Sequence, residues 1–136
     1  MNERVSGIII KDREILLMRR VRDGEEYFVF PGGGTEEGES LDISFRREIR
    51  EETSFEISHY TPLFDIQNRG RIEHYFLIDG FSGTPKIIGE ERERMSPMNV
   101  YELVWMPLAE ALALKNLLPT LVQEKIIKKF GSAPKD

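Results

Sequence analysis

Three glutamates, Glu48, Glu51 and Glu52, have the types and spacing to hold a cation. Residues around a helix advance by about 100° each, so all three fall within an arc of roughly 100°. The apolar stripe Leu41, Phe45 and Ile49 continues to position 52, where the sequence supplies a carboxylate. Like charges at i, i+4 cost a helix about a few tenths of a kcal/mol, and partial burial raises that cost. Arg47 and Arg50 could offset it. A hard divalent cation offsets it better, because Mg²⁺ takes carboxylates together with water and phosphate. With no cysteine in the chain and no histidine nearby, the acids suit Mg²⁺ or Mn²⁺ rather than Zn²⁺. The competing reading is a solvated helix end. The helix dipole favours acids in the first turn, which accounts for Glu39 and Asp42 but opposes Glu51 and Glu52.

Immediately before these acids stands Phe30-Pro31-Gly32-Gly33-Gly34-Thr35. Glycines allow positive φ and close approach of the backbone to a ligand. No Gly-Lys-Ser/Thr follows, so this is not a P-loop, and the spacing is wrong for a dinucleotide fingerprint. A plain strand-to-helix connection is the alternative.

The elements that must position these residues are legible in outline. Val5–Ile10 and Ile15–Arg20 read as a β-hairpin, and Tyr27–Phe30 as a third strand. Ser40 is a good N-cap for a helix over Leu41–Thr53. Phe55–Ile66 and Arg71–Phe81 read as two longer strands joined by a turn at Gln67–Gly70. Ser82–Asn99 is irregular and highly charged. Val100–Trp105 reads as a strand, Pro107–Leu114 as a short helix, and Pro119–Phe130 as a last helix stopped by Gly131. Residues 132–136 read as a frayed tail. The expected fold class is α/β, with a mixed sheet and helices on both faces.

Composition narrows the partners. At 136 residues the chain has room for one domain. The absence of cysteine excludes disulfides and a thiol nucleophile. A net charge of −5 argues against general binding to nucleic acid or anionic membrane. Between Glu36 and Glu52, seven acids face three arginines, so most of the imbalance lies there. No apolar run approaches the ~18 residues of a membrane span, and no signal peptide is visible. The expectation is a soluble cytoplasmic protein.

Taken together, the loop and helix read Gly33, five residues, Glu39, seven residues, then Arg47-Glu48-Ile49-Arg50-Glu51-Glu52-Thr53-Ser54-Phe55. This closely resembles the Nudix box of the Nudix hydrolases: Gly, five residues, Glu, seven residues, Arg-Glu-aliphatic-any-Glu-Glu-any-Gly-aliphatic. Every charged position matches. The resemblance extends over residues 3–130. Two positions depart. Ser54 stands for the usual glycine, at a cost on the order of 1 kcal/mol if it must be left-handed, and Phe55 for an aliphatic residue.

The resemblance implies an α/β/α sandwich that hydrolyses the pyrophosphate linkage of a nucleoside diphosphate joined to another group. It implies Glu48, Glu51 and Glu52 as ligands of Mg²⁺ or Mn²⁺, with the Gly33 carbonyl beside them. Glu39 and Arg47 would pair behind the site and fix the loop to the helix. Glu52 is the first choice for the base that activates water. An acid from the late loop is its competitor, Glu91 ahead of Glu90, with Glu93 also present. A substrate marker some 15 or 16 residues beyond the box would be proline for ADP-ribose or tyrosine for dinucleoside polyphosphates. Here that window holds Gly70, Arg71 and Ile72. The expected substrate is a nucleoside triphosphate or small nucleotide derivative, with a sugar-nucleotide pyrophosphatase or a non-catalytic nucleotide-binding module as alternatives. Family members are often dimers.

Other residues weigh less. Arg19 and Arg20, with Arg22, could meet phosphate or merely end a strand in solvent. His59 and His74 read as packing or surface residues. Tyr27, Phe28, Phe64, Tyr75 and Trp105 read as core.

Overall fold

The computed structural model describes residues 2–87 and 95–130. The late-loop acids Glu90, Glu91 and Glu93, the stop at Gly131 and the tail lie outside them. The elements are β1 (Glu3–Lys11), β2 (Glu14–Arg22), β3 (Glu25–Val29), β4 (Gly32–Gly34), α1 (Leu41–Thr53), β5 (Glu56–Asn68), β6 (Arg71–Ser82), β7 (Asn99–Pro107), α2 (Leu108–Leu112) and α3 (Thr120–Phe130).

The sheet is mixed, as expected. β1 and β6 run parallel, with Val5 opposite His74, and the other strand pairs are antiparallel. The hairpin expected from β1 and β2 is paired only at its tip, Ile10 with Ile15 and Lys11 with Glu14. Below the tip, β4 takes the edge of β1, setting Arg4, Val5 and Ser6 opposite Gly34, Gly33 and Gly32. β2 instead pairs along its length with β7 and in part with β3. The two halves of the hairpin therefore splay. The glycine segment, read from sequence as a loop, is a short strand between them.

Alternation along β1 feeds two cores. Val5 and Ile9 join Leu16, Phe45, Ile49 and Phe55 under α1. Ile8 joins Ile15, Leu17, Val122 and Ile126 under α2 and α3. Helices thus cover both faces.

Local chemistry explains the limits of α1. The Ser40 hydroxyl accepts the Ile43 N–H at 3.2 Å. Ser54 ends the helix in the left-handed conformation, φ 69°, and its N–H returns to the Arg50 carbonyl at 2.8 Å. Its hydroxyl donates to the Lys86 carbonyl at 2.9 Å, which offsets part of the cost of a non-glycine residue there. Phe55 is buried and stacks at 4.5 Å on Phe81, beside Trp105, so an aromatic residue is well housed at that position. Leu41, expected on the buried stripe, is exposed at the start of the helix.

The long β5 carries bulges around His59 and between Pro62 and Phe64. It is an edge strand, the place where proline and bulges are tolerated. α2 is shorter than expected, with Pro107 as its N-cap residue, and α3 begins one residue after Pro119. No helix among the described residues is long and apolar enough to cross a membrane.

Candidate active site

The C-terminal half of α1 lies against β4, and the close approach falls at two glycines. A Cβ on Gly33 would sit 2.1 Å from Glu48 Oε1 and 2.3 Å from its carboxyl carbon. A Cβ on Gly32 would sit 2.1 Å from the Val5 carbonyl oxygen. The glycines thus let β4 press between β1 and the Glu48 carboxylate. Glu52, at the end of the apolar stripe, is 5 % exposed, and the Gly32 N–H points to its Oε1 at 3.4 Å.

Arg47 ties loop to helix. Its Nε and Nη2 donate to the two oxygens of Glu39 at 2.8 and 2.9 Å. Nη2 also donates to the Gly34 carbonyl at 3.1 Å, and Nη1 to Glu48 Oε2 at 2.8 Å. Glu39 accepts two further bonds, from the Ser44 hydroxyl and the Glu36 N–H. The Arg47 bonds, followed by that of Ser44, hold the Glu39 carboxyl down at about 2. Glu39, and then Glu48, push Arg47 further above its already high range, against the opposing effect of burial. Glu51 is more exposed and approaches Arg47 Nη1 at 3.5 Å.

Glu48, Glu52 and Gly33 line one cleft of about 290 Å³ with Arg4, Arg20 and Tyr101. Buried Glu52 and half-buried Glu48, beside the Gly33 backbone, form a hard oxygen donor set, which suits Mg²⁺ or Mn²⁺. Among the described residues no three acids or histidines converge into a finished cation cage. Glu51 does not line the cleft, so the expected trio of Glu48, Glu51 and Glu52 is not gathered there.

Arg20, itself buried, lines this cleft. Its guanidinium donates to Asn99 Oδ1 at 3.0 Å and to the Val100 carbonyl at 2.7 Å, and lies 3.7 Å from the Tyr101 ring centre. Alternation along β2 puts Arg19 on the opposite face. There it pairs with Glu26 at 2.7 Å and Glu102 at 3.0 Å and is not brought to the cleft. Arg20, Arg4 and Val29 are shared with a second cavity of about 760 Å³, which continues the first. On the wall of this cavity Glu73 is 1 % exposed and accepts from Asn68, Arg71 and Tyr75 at 3.1, 3.0 and 2.9 Å. Burial first, and Glu73 second, push the Tyr75 phenol far up.

Sequence reasoning did not single out Arg4, Tyr101 or Glu73. They come from three separate strands, and no local pattern marks them. His59 and His74 lie outside both cavities. His74 bridges Asp65 and Glu3 at 2.9 and 2.8 Å, a packing role.

A sequence model of the NUDIX domain matches residues 1–130. The chain belongs to the Nudix hydrolase family. Several solved structures share the fold. A MutT Nudix hydrolase from Burkholderia pseudomallei superposes with a TM-score of 0.71 at 22 % identity, covering 92 % of this chain and 97 % of that one. The E. coli ORF135 protein gives a TM-score of 0.70 at 28 % identity, covering 100 % and 95 %. An ADP compounds hydrolase gives 0.68 at 18 % identity, covering 94 % and 74 %. Nudix hydrolases generally use divalent metals such as Mg²⁺. In this Nudix chain the box residues gather where α1 meets β4.

Proposed function

We propose that this Nudix hydrolase is a Mg²⁺-dependent pyrophosphohydrolase acting on a nucleoside diphosphate linked to another group. The observation that carries the reading is a pair of carboxylates, buried Glu52 and half-buried Glu48, in a cleft that shares Arg4, Arg20 and Val29 with a larger cavity. Glu48, Glu51 and Glu52, with the Gly33 carbonyl, would hold the cation, which when bound spreads the charge that builds on phosphorus.

The protein's own residues do the rest. Glu52 orients the attacking water and accepts its proton. Water oxygen bonds to one phosphorus, the bridging P–O bond breaks, and the leaving phosphate oxygen takes up a proton. Arg20 neutralises a phosphate oxygen in the cleft, where its bonds to Asn99 and Val100 fix the direction of the fork. Arg47 and Glu39 keep Glu48 and the glycine strand in register. Glu91 is the alternative base.

Two substrate groups suit this site. The MutT-like fold favours a nucleoside triphosphate or small derivative, and the likeness to an ADP compounds hydrolase keeps a sugar nucleotide open. The protein acts without nucleic acid or membrane, in the cytoplasm, as one chain or as a homodimer.

The test is release of phosphate and pyrophosphate from a nucleotide panel with Mg²⁺, comparing wild type with Glu52→Gln. Hydrolysis of at least one member, lowered about 10²-fold or more in the variant, is the expected result. A folded wild-type protein that hydrolyses nothing, with Mn²⁺ also tried, would favour the nucleotide-binding module instead.

A further inference from the structure

The larger cavity has a charge that hydrolysis of a pyrophosphate does not need. Arg4, Arg20, Arg22, Arg69 and Arg71 all line it, and the one acid among its described lining residues, Glu73, is already held by Asn68, Arg71 and Tyr75. These arginines come from β1, β2, the β5–β6 turn and the start of β6. No acid among the described residues pairs with Arg4, Arg22 or Arg69. The whole chain carries a net charge of −5, so the concentration of positive charge is local. Within the roughly 8 Å Debye length at physiological salt such a cluster still attracts an anion, and added salt weakens the attraction. Arg22 and Arg69 are exposed and Arg4 and Arg71 half-buried, so the cluster presents an open positive face that an anion can reach.

The pyrophosphate does not supply that anion, because the proposed reaction places it at the other end of the cleft, between Arg20 and the carboxylates. A nucleobase and a ribose are neutral, and burying them calls for apolar surface and hydrogen bonds rather than several cations. The cavity, about 760 Å³, has room for another group. Arginine forks match phosphate oxygens in pairs.

We propose that the substrate carries a second phosphate, set apart from the scissile pyrophosphate, and that Arg22, Arg69 and Arg71 receive it. This rests on the hydrolase reading and narrows it to nucleotides phosphorylated at both ends, such as those with a 2′- or 3′-phosphate on the sugar.

Matched substrates test it: ADP-ribose against its 2′-phosphorylated counterpart, and a nucleoside 5′-triphosphate against the same compound with a 3′-phosphate. The expected kcat/KM favours the phosphorylated member of one pair by about tenfold or more. Arg22→Gln and Arg69→Gln should each pull that ratio toward one, and added salt should do the same in wild type. A ratio of one or below in both pairs, with hydrolysis measurable, overturns the proposal and leaves the hydrolase reading intact. So does a preference that survives the Arg22→Gln/Arg69→Gln double variant, which would point to recognition of the base edge. If no member is hydrolysed, the hydrolase reading fails. Calorimetry of a nucleoside 3′,5′-bisphosphate against the 5′-monophosphate then decides. Tighter binding of the bisphosphate supports the basic site, and equal binding overturns it.

Discussion

The cleft has two ends of opposite character. At one end, Glu48 and Glu52 stand on a single helix, held by a glycine strand and by Arg47. At the other, Arg22, Arg69 and Arg71 line the larger cavity with Glu73, and Arg4 and Arg20 are shared by both ends. The acidic end is built from one contiguous stretch of sequence, stiffened by local hydrogen bonds. The basic end exists only after β1, β2, β5 and β6 have come together. The first suits chemistry that needs fixed geometry, and the second suits recognition that can vary among relatives with one fold.

The most damaging change to this arrangement is Gly33→Ala. The new Cβ would fall 2.1 Å from Glu48 Oε1 and push the carboxylate out of the cleft. Loss of kcat by about 10²-fold is expected, because small displacements at a reacting centre cost that much. Circular dichroism should remain that of the wild type. An enzyme of full activity would show that Glu48 is not needed where it stands.

Next comes Arg47→Ala, which cuts the bonds to Glu39, Gly34 and Glu48 together. Both rate and stability should fall, with Tm lower by about 5 °C. A loss of rate alone would mean that Arg47 meets substrate instead of fixing the loop.

A smaller effect is expected in acid. Glu39 is held at about 2, against an ordinary value of 4.5, by Arg47 above all. A depressed carboxylate contributes stability that is present above about pH 4.5 and is lost as the pH falls through about 2. Glu39→Gln should therefore flatten the pH dependence of Tm in that window. An unchanged profile would show the pair to be energetically idle.

The smallest effect is expected from Ser54→Gly. Relief at φ 69° is opposed by loss of the bond to Lys86, two terms of about 1 kcal/mol each. Tm should move by no more than a few degrees. A large gain would show that the hydroxyl bond contributes nothing.

The same contrast explains what could be read in advance. Leu41–Thr53, its Ser40 cap and the turn of Glu52 toward the interior all follow from periodicity within one helix. The pairing of β4 with β1 was not legible, because three glycines carry no pattern and their strand exists only by docking on Val5. Nor was the splaying of the hairpin, which depends on β7 claiming the length of β2. Arg20 was noticed with Arg19, but only the pairing of β2 with β3 and β7 shows which face of the strand meets the cleft. The basic end had one local trace, Arg69-Gly70-Arg71 at a turn, and nothing linked it to Arg4 or Arg22.

The division of the cleft is tested most directly by steady-state kinetics of wild type, Glu52→Gln and Arg20→Lys on one hydrolysed nucleotide. Glu52→Gln should lower kcat by about 10²-fold or more with KM within a few-fold. Arg20→Lys should do the reverse, raising KM about tenfold with kcat changed less, since lysine cannot reproduce the fork over Tyr101. A Glu52→Gln enzyme with wild-type kcat would contradict the account at its centre, as would two variants that move the same parameter.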